Sequence, residues 1–155
     1  MAETSANNPV LKPVEILLVE DSPADIALTR EALEDSKLLN NLYVVTDGEE
    51  AMEFLKKTGK YMSMPKPDLI LLDLNLPKKN GLEVLREIKA DDSLRLIPVV
   101  IMTISRDEKD IVESYWLHAN CYIRKPVKFG EFIDIVKSIE DFWFSIVTLP
   151  PKGEQ

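Results

Sequence analysis

One cysteine and one histidine in 155 residues leave little for soft-metal chemistry. Cys121 alone cannot close an internal disulfide, and with His118 it cannot supply the nitrogen and sulfur set that zinc prefers. A lone thiol fits a reducing, cytoplasmic setting, where Cys121 reads as a small buried strand residue. Basic charge is also short: 19 Lys and Arg against 27 Asp and Glu give a net charge of -8. That balance argues against a sequence-independent grip on nucleic acid or anionic lipid. No window approaches the length of a membrane span, and the opening MAETSANNPVLKP has neither the basic start nor the apolar core of a signal peptide. Residues 1–13 read as a loose polar tail. The glycine-rich lysine loop of P-loop enzymes is missing, as are low-complexity segments and short repeats.

What is present is enough apolar residue, 45% of the chain, for one domain with a full core. From Pro13 onward, strand-like runs alternate with segments of helical period, the order expected of five β-α units around a parallel sheet. The strands fall at Glu15–Val19, Leu42–Val45, Leu69–Leu72, Pro98–Met102 and Cys121–Arg124. Ser22 caps the first helix with Pro23 at its first position, and Ile26, Leu28, Ala32 and Leu33 form its buried stripe. Asp47 precedes a second helix with Ala51, Met52 and Leu55. Asn80 and Gly81 precede a third with Leu82, Leu85 and Ile88, and Val84 beside that stripe. RDEKDIVESYWLHA is the fourth and EFIDIVKSIEDFWF the fifth, while GKYMSMPKPD is a surface loop. The chain ends soon after the fifth helix, which leaves no room for an effector domain.

The stretch LILLDLNLPKKNG, Leu69 to Gly81, runs four apolar residues straight into Asp73. Such a run without polar alternation marks a central strand covered on both faces. Asp73 then stands at its carboxyl end, where open α/β sheets place their chemistry. Glu20 and Asp21 follow the first strand, Thr103 ends the fourth, and Lys125 follows the fifth. Taken singly, each has an ordinary explanation: a charged turn, a β-branched strand residue, a solvated lysine. Their arrival in order at four strand ends does not.

Three carboxylates crowded together repel one another unless a hard cation sits among them, and oxygen ligands suit Mg²⁺. Beside such a cation Asp73 can act as a carboxylate nucleophile toward phosphorus. Phosphoryl transfer asks mainly for in-line positioning and neutralisation of oxygens, tasks for the cation, the Lys125 ammonium and the Thr103 hydroxyl.

ILLVEDS, LILLDLNLP, VVIMTIS and CYIRKP together resemble the receiver domain of two-component response regulators, over residues 14–144. The resemblance implies a flavodoxin-like, doubly wound (βα)5 fold with strand order 2-1-3-4-5. It implies Asp73 as phosphoacceptor, Glu20 and Asp21 as the acidic pair that binds Mg²⁺ with Asp73, and a backbone carbonyl at Asn75 completing that site. Thr103 matches the switch hydroxyl, Lys125 the lysine before a proline, and Tyr122 the rotating aromatic on the fifth strand. DLNLPKKNG, LIPVVIMT, LHANCYIRKPV and IEDFWFSIVTLP are similar to the small single-domain regulators paired with cyanobacterial phytochromes. A phytochrome-type histidine kinase and a homodimer are thereby implied. His118, where many receivers have glycine, reads as a loop or helix-end residue, so a phosphohistidine must come from another protein. Ile104 stands where many receivers have a small residue, which would narrow the space for a moving Tyr122.

The tail carries more apolar residues than one helix face can hide: Phe142, Trp143, Phe144, Ile146, Val147 and Leu149 follow Ile135, Val136 and Ile139. They form either a cluster over the domain's own sheet edge or a self-association surface, the second being preferred. Residues 145–155 are then an extension contributing to a dimer. Two rival functions stand beside the phosphorylation switch. A receiver-shaped scaffold would take no phosphate, and a dehalogenase-like phosphatase would need an acid where this chain has Asn75.

Overall fold

Strand and helix alternate five times along the chain. The computed structural model describes residues 12–36, 39–126 and 128–151, apart from the side chains of Ser145 and Ile146. Strands β1 (Val14–Val19), β2 (Asn40–Val45), β3 (Leu69–Leu72), β4 (Val99–Thr103) and β5 (Cys121–Arg124) are followed in turn by helices. These are α1 (Pro23–Glu34), α2 (Gly48–Leu55), α3 (Gly81–Ala90), α4 (Glu108–Trp116) and α5 (Phe129–Asp141). All strand pairs are parallel, in the order β2-β1-β3-β4-β5. This is the flavodoxin-like order, with β3 central.

Helices on both faces explain the apolar runs. Ile16, Leu18, Leu69, Leu71, Val100 and Met102 pack with Ala32 and Leu33 of α1 and Phe132, Val136 and Ile139 of α5. Leu17, Val19, Ile70, Leu72, Val99 and Ile101 pack on the other face with α2 and with Val84, Leu85 and Ile88 of α3. Every residue of β3 and β4 is buried, whereas edge strands β2 and β5 are mostly half-buried. Helix α4 is the loosest attachment, with Ser114 its one fully buried residue.

The helix starts follow their side-chain caps. Ser22 Oγ accepts the Asp25 N–H at 3.3 Å, with Pro23 at the first helical position. Asp47 accepts the Glu50 N–H at 2.7 Å, and Asn80 and Glu83 form a reciprocal capping box. His118 closes α4 in the left-handed region at φ 71°, which explains the position's compatibility with glycine.

Several boundaries and faces differ from the sequence expectation. β1 and β2 start earlier, at Val14 and Asn40; polar Asn40 and Asn41 are tolerated because β2 is an edge. β4 begins after Pro98, which cannot donate to a ladder, although its carbonyl accepts the Ile70 N–H at 3.0 Å. In α3, Val84 is buried and Leu82 only half-buried, so the stripe is rotated toward Val84. In α1, Thr29 is buried beside Ala32 and Leu33, while Ile26 and Leu28 are half-buried. The loop before β3 contains a 3₁₀ turn, Gly59–Tyr61, whose Tyr61 ring lies 5.3 Å from that of Phe54.

The fifth helix stops at Asp141 and widens into a π turn, Phe142–Ile146, closed by the Val147 N–H on Phe142 O at 2.9 Å. Trp143 and Phe144 pack, half-buried, against the cluster beneath α1 and α5. Phe142 stays 49% exposed, edge-on to Trp143. Val147 and Leu149 are half-buried; the Ile146 side chain, and residues 1–11 of the expected tail, lie outside the described residues. Among the described residues no helix is long and apolar enough to cross a membrane.

Candidate functional site

Parallel strands deliver their carboxyl ends to one edge, and β1, β3, β4 and β5 each bring a polar group there. The Asp73 N–H is donated to Val19 O at 3.0 Å, which ties the end of β3 to the end of β1. Helix α3 then starts almost in contact with Asp73: a Cβ on Gly81 would lie 2.3 Å from Asp73 O and 2.6 Å from Leu74 Cα. No side chain fits there, so this turn requires glycine for close approach.

Glu20, Asp21 and Asp73 each offer a carboxylate oxygen, and these atoms lie within 4.8 Å of one another. Glu20 and Asp73 are buried and Asp21 is exposed, so the cluster opens to solvent on one side. An all-oxygen donor set of this kind fits a hard divalent cation. The observed charge partner is Lys125, whose Nζ lies 2.5 Å from Glu20 Oε1, 2.7 Å from Asp25 Oδ2 and 2.9 Å from Asp73 Oδ2. The remaining oxygens are tethered by backbone: the Ser22 N–H donates to Glu20 Oε2 at 3.1 Å, and the Asn75 N–H to Asp73 Oδ1 at 3.1 Å.

Burial pushes Glu20 up to about 7, with repulsion from Asp73 adding and Lys125 opposing. Burial pulls Lys125 down, but its hydrogen bonds to Asp25, Glu20 and Asp73 outweigh that and hold the ammonium well above its ordinary range. The lysine therefore stays a cation beside Asp73 and Glu20.

Thr103 is fully buried, and its Oγ1 accepts long bonds of 3.4 Å from Asn75 Nδ2 and from the Ser105 N–H. The Tyr122 ring is half-buried against the core, and its hydroxyl donates to Ser105 O at 3.1 Å. Ile104 points outward, 68% exposed. Ile104 lies just past the end of β4, next to Ser105, whose carbonyl the Tyr122 hydroxyl reaches.

Glu20, Asp21, Asp73, Thr103, Lys125 and Asn75 meet at one edge, with Tyr122 one loop away. The apolar tail residues belong to a different surface. Asp25 was missed at sequence level: an acid in the first helical turn has a sufficient explanation in the helix dipole, and only the tertiary structure carries it to Lys125.

A family model described as the response regulator receiver domain matches residues 16–137. The chain belongs to the response regulator receiver family. Response regulator Rcp1 of Synechocystis sp. is 50% identical over 138 residues, covering 89% of this chain and 94% of Rcp1. The probable methanogenesis regulatory protein FilR2 of Methanothrix harundinacea is 38% identical over 132 residues, 84% of each chain. Two solved structures are similar over 90% of this receiver and all of their own chains. The phosphorylated cyanobacterial phytochrome response regulator RcpA matches with a TM-score of 0.88 at 51% identity. The Mn²⁺-bound form of Rcp1 matches with 0.87 at 50%.

Proposed function

We propose that this receiver is a phosphorylation switch in which Asp73 accepts a phosphoryl group from the phosphohistidine of a partner histidine kinase of phytochrome type. The observation that carries the reading is the buried Lys125 ammonium on Asp73 Oδ2, beside two further carboxylates facing the same point. Support comes also from RcpA, a phosphorylated phytochrome response regulator, and from Rcp1, which binds Mn²⁺. In the transfer, a P–O bond forms on Asp73 as the donor's P–N bond breaks, and the electron pair leaves with the imidazole. Glu20, Asp21, Asp73 and the Asn75 carbonyl would hold Mg²⁺, which when bound would supply charge that neutralises phosphoryl oxygens. Lys125 neutralises another oxygen and remains protonated throughout.

The product places extra negative charge and acceptor oxygens where a carboxylate stood. Thr103 leaves its long bonds to Asn75 and Ser105 for a phosphoryl oxygen, and the loop after β4 follows. Tyr122 reads this movement through Ser105 O. Output is a change of homodimer state or partner choice on the face of the fourth and fifth units, with residues 14–144 as receiver and 145–155 as an extension to the dimer. Phe142, exposed beside Trp143, is the tail residue best placed for that contact. Coupling of about 1 to 3 kcal/mol suffices, which a few charge-assisted hydrogen bonds supply.

The test is intact mass and light-scattering mass of wild type and Asp73→Asn, each with Mg²⁺ and acetyl phosphate. One phosphoryl adduct on wild type alone, with a changed assembly mass, is the expected result. No adduct from acetyl phosphate or from a kinase would leave the scaffold reading in its place.

A further inference from the structure

Of the three carboxylates that share the Lys125 ammonium, Asp25 belongs to none of the roles above. Its backbone is fixed from both sides, the N–H capped by Ser22 Oγ at 3.3 Å and the carbonyl accepting the buried Thr29 hydroxyl at 2.8 Å. An acid serving only the dipole of α1 would face solvent or the helix's own free N–H groups. Asp25 Oδ2 instead crosses to the end of β5 and meets Lys125 Nζ at 2.7 Å, a partner 100 residues away in sequence.

The donor count decides what this contact does. An ammonium has three N–H donors, and those of Lys125 go to Glu20, Asp25 and Asp73. Phosphorylation converts the Asp73 carboxylate into an acyl phosphate. Cation binding draws on Glu20, which together with Asp21 and Asp73 makes up the donor set. Asp25 lies outside that set and is not the acceptor, so of the three bonds it is the one that neither event consumes. Its side chain is also 23% exposed, against 4% for Glu20, so water helps it carry its charge without the cation.

We infer that Asp25 is a positioning residue for Lys125, holding the ammonium over the acceptor while Glu20 turns to the cation and Asp73 is converted. The inference rests on the phosphoacceptor reading. In the acetyl phosphate reaction, a P–O bond forms on Asp73, the donor's acyl P–O bond breaks with its electron pair going to acetate, and no proton leaves Lys125. Asp25 keeps the lysine in place; it touches neither phosphorus nor donor.

The experiment combines two readouts on Asp25→Ala, Asp25→Asn and Asp25→Glu. The first is proton exchange of the Lys125 ammonium, followed by nitrogen-resolved NMR in the metal-free protein. The second is the rate of adduct formation with Mg²⁺ over a range of acetyl phosphate concentrations, per folded molecule. Asp25→Ala is expected to speed the ammonium exchange and to lower the maximal rate about tenfold, the scale of one lost charge-assisted contact in a transition state. The donor concentration at half-maximal rate stays the same. Asp25→Asn falls between, and Asp25→Glu recovers most of the rate. A cap-only role would lower the melting temperature of Asp25→Ala while leaving exchange and maximal rate untouched, and that result overturns the inference. A wild type that takes no phosphoryl group from any donor sinks the phosphoacceptor reading instead, which separates the two failures.

Discussion

The Tyr122 hydroxyl donates to Ser105 O at 3.1 Å, while the Ser105 N–H reaches Thr103 Oγ1 at 3.4 Å. One residue thus joins the aromatic of β5 to the Thr103 hydroxyl at the end of β4. Tyr122→Phe removes the link without removing the ring. It should cost about 1 kcal/mol and speed amide exchange at residues 104–107, with the rest of the sheet unchanged. Exchange confined to wild-type rates in that loop would show that Tyr122 does not hold it.

Lys125→Met tests the charge balance directly. Removing one member of a buried ionic group leaves its partners uncompensated, at a cost of about 3 to 5 kcal/mol. Urea denaturation in EDTA should register that loss. Added Mg²⁺ should recover more stability in the variant than in wild type, because the cation then becomes the main counter-charge for Glu20 and Asp73.

The pH dependence follows from Glu20, which burial pushes up from 4.5 to about 7. Between those values the folded protein keeps a proton that the unfolded chain has released. The stabilisation is therefore fully present below pH 4.5 and is lost as pH rises toward 7, by up to about 3 kcal/mol. Thermal melts in EDTA should show this slope in wild type and not in Glu20→Gln. Calorimetric Mg²⁺ affinity should rise over the same interval, since binding displaces that proton.

Gly81→Ala places a methyl group 2.3 Å from Asp73 O. Both atoms nearest the new Cβ are backbone, so relief requires moving the turn after β3 or the start of α3. The substitution should destabilise by about 2 kcal/mol or more and slow adduct formation in the molecules that remain folded. A denaturation midpoint equal to wild type would show that the turn gives way freely.

The central strand was legible to the residue because burial on both faces removes the alternation that blurs other strands. β2 was read short because Asn40 and Asn41 are polar, and an edge strand accepts what a central one rejects. The convergence of Glu20, Asp21, Asp73 and Lys125 at one edge could be read from order alone, since a parallel sheet converts sequence order into proximity. Asp25 could not, because its identity as a helix-start acid already had a local explanation. The residues expected on the inner faces of α1 and α3 do pack on the core, but Thr29 and Val84 are buried more deeply than Ile26, Leu28 and Leu82, because periodicity gives the spacing of a stripe while the neighbours decide its rotation.

The ion pair between Glu20 and Lys125 spans 105 residues, from the end of the first strand to just past the last. Such a contact closes only after the intervening sheet has assembled, so it forms late in folding. A ribosome-bound chain that has emerged only as far as β4 holds Asp73 and its acidic neighbours without their lysine. The complete charge cluster at the strand ends therefore arrives only with the final strand, and a shorter chain carries Glu20, Asp25 and Asp73 without the ammonium they share.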